Sequence, residues 1–133
     1  MYSLKKIPVV VTADATTGGV TGSKVYVGMS RITAILIRYA GHASGNTVFT
    51  WKASLDDEDG KTAPTMTNYN MVIDNLTNTN AQTPTRIQTK TINANGDYLL
   101  WLDPNSPVNY LETDYNTTTD GTVQIWYYVQ QVD

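Results

Sequence analysis

The sequence predicts an all-β chain, folded as an antiparallel two-sheet β-sandwich of jelly-roll type with about seven to nine strands. Three observations predict it. The residue mix favours a pleated, half-buried surface: 21 Thr, 12 Val, 9 Tyr and 8 Ile among 133 residues, against only two Glu. Several stretches alternate apolar and polar residues with period two, and Gly- and Asn-containing turn signals separate them at short spacing. The length and the 41% apolar content suit one domain over residues 1–133, large enough to fold without the disulfides that a cysteine-free chain cannot form.

The elements follow in order. Residues 1–6 read as an N-terminal arm, and Ile7–Thr12 as a short strand whose Pro8 is tolerated only at a sheet edge or strand start. After a loop holding Gly18, Gly19 and Gly22, Lys24–Val27 reads as a brief extended piece. In Arg31–Tyr39 the residues Thr33, Ile35, Ile37 and Tyr39 face one way, and Ile32, Ala34, Leu36 and Arg38 the other. With apolar residues on both faces this strand is expected to be central. Its β-branched residues and the break at Gly41 oppose a helix.

Ala40–Asn46 reads as a Gly-rich turn into the strand Thr47–Asp56, where Phe49, Trp51, Ala53 and Leu55 share a face. Asp57–Asn68 is a charged surface loop, Asn70–Leu76 another strand, and Thr77–Pro84 a polar connection. Thr85–Asn93 alternates with much threonine, which suggests one strand with a wet face. Asn95-Gly96-Asp97 marks a tight turn before Tyr98–Leu102 (YLLWL), a buried strand stopped by Asp103–Pro107. Tyr110–Thr113 reads as a weaker strand and Asn116–Gly121 as a second turn. In the last strand, Thr122–Gln131, one face carries Val123, Ile125, Tyr127 and Val129, the other Gln124, Trp126, Tyr128 and Gln130.

Candidate chemistry is sparse. Nine Lys and Arg against twelve Asp and Glu leave a net charge of −3, so no basic field exists for a polyphosphate backbone and nucleic acid is not an expected partner. The apolar run Ile7–Val11 is too short for a signal-peptide core or a membrane span, and no membrane partner is expected. His42 is the single histidine and sits in a turn, where neighbouring Ser44 is an ordinary turn residue rather than a nucleophile awaiting a base. The run Asp56-Asp57-Glu58-Asp59-Gly60 departs from the spacing of a calcium loop and reads as a solvated loop tip; Asp114, Asn116 and Asp120 form an equally loose set. Glu58 and Glu112, the two glutamates, make no evident hydrolytic pair, since Glu112 alternates outward beside Asp114. No enzyme, cofactor or metal site is expected.

The aromatics carry more. Trp51 and Trp101 lie in apolar alternation and read as core. Trp126 and Tyr128 share a face with Gln124 and Gln130, which marks that face as available to a ligand or another subunit.

Two stretches carry a resemblance. ITAILIRYAGHASGNTVFTWKASLDDEDG (Ile32–Gly60) gives a strand, a Gly/Ser turn and a strand ending in an acidic loop. ANGDYLLWLDPNSPVNYLETDYNTTTDGTVQIWYYVQQ (Ala94–Gln131) gives a Gly-Asp-Tyr strand entry, a strand around Tyr110, an Asp-Gly turn and a final alternating strand. Together they resemble small β-sandwich accessory virion proteins of tailed bacteriophages, of the capsid decoration or cement type. The resemblance implies no catalytic residue. It implies a structural role on the outside of a phage head, with the protein assembled in the host cytoplasm and located in the virion. Expected partners are the major capsid protein or other virion subunits, and the expected state is a homo-oligomer, a trimer by analogy with lattice points. In the arm, Tyr2 and Leu4 are candidate apolar anchors and Lys5 and Lys6 candidate charges for that interface. The alternative expectation is a carbohydrate-binding sandwich or a tail or adsorption accessory protein.

Overall fold

A computed structural model describes residues 2–12, 18–28, 31–42, 45–56, 63–74, 85–102, 108–117 and 121–132. They form twelve strands: β1 (Tyr2–Thr12), β2 (Gly18–Val20), β3 (Val25–Tyr26), β4 (Arg31–Ala40), β5 (Thr47–Ser54), β6 (Thr67–Asn68), β7 (Val72–Asp74), β8 (Thr85–Ile87), β9 (Thr89–Ile92), β10 (Gly96–Leu102), β11 (Tyr110–Thr117) and β12 (Thr122–Val132). The all-β sandwich is as the composition predicts. The count exceeds expectation because five strands are pieces of two or three residues.

The first sheet has the order β1-β12-β4-β10-β7-β8. In the second, β11 and β5 pair centrally; β2 and β3 both pair with β11, and β6 and β9 both pair with β5. Every pairing is antiparallel. The chain changes sheet from β1 to β2, β3 to β4, β4 to β5, β6 to β7, and at every step from β8 to β12, so most sequence neighbours lie in opposite sheets, and the pairs β5–β6 and β7–β8 are the exceptions that hydrogen-bond to each other. The four-strand cores β1-β12-β4-β10 and β2/β3-β11-β5-β9 carry the jelly-roll order, with the β7–β8 hairpin extending the first sheet.

Alternation builds the core. Ile35, Ile37 and Tyr39 of β4 and Val123, Ile125, Tyr127 and Val129 of β12 point inward, against Phe49, Trp51 and Ala53 of β5 and Leu111 and Tyr115 of β11. The β4 strand is central, as its two apolar faces predict. Two hydroxyl pairs are satisfied inside this core: Thr113 Oγ1 lies 2.6 Å from Tyr127 Oη, joining the two sheets, and Thr47 Oγ1 donates to Tyr39 Oη at 3.2 Å. Burial pushes the Tyr127 phenol well above its ordinary range, so it stays neutral in the fold. Both hydroxyl pairs join the two sheets, and a third inter-sheet tie is the partly buried ion pair of Lys90 Nζ on β9 with Asp74 Oδ2 on β7, at 2.6 Å.

Three expectations are corrected. Residues Tyr2–Lys6 are not a free arm: they continue β1, in register with Tyr128 to Val132 of β12, and the register shifts between Pro8 and Val10. A strand at the sheet margin accommodates Pro8, as the sequence required. Thr85–Asn93 is not one strand: β8 pairs with β7 in the first sheet, β9 pairs with β5 in the second, and Gln88 is the corner between them. The weak strand at Tyr110 is the eight-residue centre of the second sheet. Its outward residues Glu112, Asp114 and Asn116 are polar, which masked it as a core strand.

Candidate functional site

The outer face of the first sheet is built in rows by the strand register. One row crosses all six strands as Lys6, Tyr128, Ala34, Trp101, Ile73 and Arg86. The next sets Pro8, Trp126, Leu36 and Leu99 side by side, and a third sets Gln124, Arg38 and Asp97. The middle of this face is apolar and open: Trp101 is 42% exposed and Leu99 37%, while Trp126, Tyr128 and Leu36 are half-buried. Trp101 and Tyr128 stand on either side of the small Ala34, two strand spacings apart, or ~10 Å.

Charge gathers around the indole of Trp126. Lys6 Nζ lies 4.5 Å and the Arg38 guanidinium carbon 5.3 Å from its ring centroid, both within cation–π range. Arg38 also forms a two-pronged bond to Asp97, Nε to Oδ1 at 2.9 Å and Nη2 to Oδ2 at 3.1 Å. That contact holds the Asp97 carboxyl below its usual range and Arg38 above its own. The pair is exposed, so it orients the guanidinium more than it stabilises the fold.

The sequence-derived site residues divide. Lys6, Trp126 and Tyr128 come together on this face. Tyr2, Leu4 and Lys5 pair through their backbones with Val132, Gln130 and Val129, and their side chains lie outside the described set. Trp51 is core, fully buried on β5, as expected. Trp101 is not core: it points outward and is the most exposed aromatic ring among the described residues. The run YLLWL is apolar at every position, so its alternation has no contrast. One signal was present, since Asp97 shares parity with Leu99 and Trp101 and a charge at a strand start marks the solvent side.

The outer face of the second sheet is different. Glu112 is almost fully buried there, opposite Lys52 in the register, and Asp114 lies two residues along. Burial raises the Glu112 carboxyl above its usual range, and a hydrogen bond with Asp114 and the Asp114 charge raise it further, against the pull of Lys52 and Lys24. Asp114 accepts from the Gly22 amide at 2.9 Å and lies 3.7 Å from Lys52 Nζ. Two carboxyls hydrogen-bonded to each other leave no space for a glycosidic bond between them, so this pair is not a hydrolytic constellation. The remaining sequence candidates are structural or undescribed. The His42 amide donates to Asn95 Oδ1 at 2.7 Å, its Nε2 lies 3.0 Å from the Gly45 carbonyl oxygen, and its ring meets Tyr39 edge-on. Asp56 accepts from the Thr65 amide, and Ser44, Asp57, Glu58, Asp59 and Asp120 lie outside the described residues. Among the described residues no cluster of three or more His, Asp or Glu side chains could hold a metal.

No family model matches the chain, and no curated protein matches it.

Proposed function

We propose that this chain is a non-enzymatic structural protein of a phage virion, of the capsid decoration or cement kind, seated on the outside of the head. The observation that carries the reading is the outer face of the first sheet, where Trp101, Leu99, Trp126 and Tyr128 present an open apolar surface with no use in the fold's own core. Contiguous apolar surface of this sort marks an interaction site. An exposed sheet face suits a macromolecular surface better than a small ligand, which needs a concave pocket. Jelly-roll order is shared by viral capsid and lectin domains, so the fold is compatible with the role, by analogy alone.

The physics of cementing is mass action. A protein that binds the assembled shell and not its dissociated subunits stabilises the shell by an amount that grows with occupancy. Contacts to major capsid protein or other virion subunits supply this, and a homotrimer places three such faces around one lattice point. Quantitative mass spectrometry of purified particles from the source tests the reading. Copy numbers comparable with the major shell protein support decoration, a handful per particle moves the chain to the neck or tail, and absence from particles overturns the virion role.

A carbohydrate-binding role is the second reading, favoured by Trp101 and Tyr128 flanking Ala34 beside the Arg38–Asp97 pair. Aromatic faces stack on sugar rings while the charged pair bonds hydroxyls. It predicts glycan binding that Trp101→Ala abolishes without unfolding the domain, and a glycan screen without hits removes it.

A further inference from the structure

We infer that the outer face of β12, β4 and β10 docks onto a protein surface with an apolar centre and a rim of carboxylates, through Trp101 as anchor and Lys6 as a rim cation. The inference rests on the virion reading and names the partner chemistry of that same face.

The argument is one of composition and charge placement. The six-strand row runs ~24 Å from Lys6 to Arg86, and its apolar middle, Tyr128, Ala34, Trp101 and Ile73, spans ~14 Å of it. Asp97, the one carboxylate that the three rows contain, is already engaged by Arg38. The chain as a whole carries −3, so this face departs in sign from the rest of the molecule. A face with an apolar core, aromatic and Arg anchors and a charged rim has the anatomy of a protein interface. Charge complementarity then selects the partner: carboxylates opposite Lys6 are attracted, and a basic surface is repelled.

The same charges disfavour a second copy as the occupant. A two-fold contact sets the same patch against itself, so rows with cationic ends meet rows with cationic ends. Trp101 is the natural anchor because, at 42% exposure, it is the large side chain most open to a partner in the apolar middle of this face. A buried Trp at the centre of an interface carries a disproportionate share of its affinity.

The experiment uses the full chain and particles of the source from which this chain has been removed. Binding is measured for the wild type, Trp101→Ser, Leu99→Thr, Lys6→Glu and, as a control on the opposite sheet, Lys24→Glu, with thermal melting of each variant. Trp101→Ser is expected to weaken binding at least ~30-fold, the size of a ~2 kcal/mol hot spot, with a cooperative melt retained. Leu99→Thr is the second apolar variant and is expected to weaken binding in the same direction, which guards against a folding defect in either one. Lys6→Glu is expected to weaken binding by an amount that shrinks as salt is raised, and Lys24→Glu to bind as wild type.

Wild-type binding that survives all three face variants overturns the docking face and leaves the virion reading standing. Tighter binding by Lys6→Glu overturns the acidic rim. Self-association of the free chain that Trp101→Ser abolishes assigns the face to a second copy instead. Failure of the wild type to bind, together with its absence from purified particles, removes the virion reading and this inference with it.

Discussion

The outward positions of β12, β4 and β10 hold Trp126, Tyr128, Leu36, Leu99 and Trp101, whereas those of β5 and β11 hold Thr50, Lys52, Glu112 and Asp114. One sandwich therefore has two outer faces of opposite character. On the second sheet the outward groups are turned to each other: Glu112 to Asp114, Asp114 to the Gly22 amide and Lys52, Tyr110 to Tyr26 at 5.1 Å between ring centroids. Their chemistry is consumed in holding β2, β3 and the Gly22 connection between them against β11. On the first sheet Lys6 and Arg38 are held against the Trp126 ring, while the Trp101 and Leu99 side chains stay open. Polar residues can thus be structural and apolar ones available, the reverse of the usual assumption, because what matters is which groups already have partners.

If this contrast is right, changes to the second outer face cost stability and changes to the first cost binding. The largest effect is expected at Gly22, where an added methyl would meet the Thr113 carbonyl oxygen at 2.1 Å. Gly22→Ala is expected to lose about 1–3 kcal/mol by overpacking, read from chemical denaturation. Asp114→Ala comes next, since it strips the Gly22 amide of its acceptor; a loss of about 1–2 kcal/mol in the same assay would match a part-buried donor left without a partner.

Glu112→Gln sharpens the comparison through pH. The folded carboxyl titrates above its ordinary value of 4.5, so the folded state holds the proton more tightly than the unfolded one. The contribution of Glu112 to stability is therefore fully present below that value and is lost as pH rises through the folded pKa. Glu112→Gln is expected to flatten this fall, and calorimetric melts between pH 4 and pH 7 check it. A wild-type melting temperature that rises across that interval on account of Glu112 would contradict the assignment.

The smallest stability effects are expected on the first face. Trp101→Ser is expected to lose about 1 kcal/mol, because the residue is 42% exposed and lies outside the core cluster, and Lys6→Ala less than ~0.5 kcal/mol. A Trp101→Ser loss at the upper end of that expected for Gly22→Ala would make the indole a structural residue and dissolve the contrast.

Much of this is legible in the amino-acid sequence. Threonine, valine and tyrosine content sets the strand class, and β5 and β12 declare their inner faces because polar and apolar residues alternate cleanly along them. Trp126 and Tyr128 follow from that parity, being marked as outward by Gln124 and Gln130. Where parity carries no contrast, as in YLLWL, the inward and outward residues cannot be separated locally, and Trp101 was assigned to the wrong side. The strand β11 failed in the opposite sense, since its outward acids hide a centre that long-range pairing with β5 creates.

The amino-acid sequence alone therefore determined the class of fold, the central place of β4 and half of the exposed face. These depend on side-chain periodicity, which is a local property of the chain. The tertiary structure decided that Tyr2–Lys6 pair with β12, that Gln88 turns one run of residues into strands of two different sheets, that Glu112 is buried on an outer face, and that Trp101 joins Lys6 and Trp126 across β4. Each of these is set by which distant strand lies alongside, and strand partners are chosen by the packing of the whole sandwich rather than by any residue's neighbours in sequence.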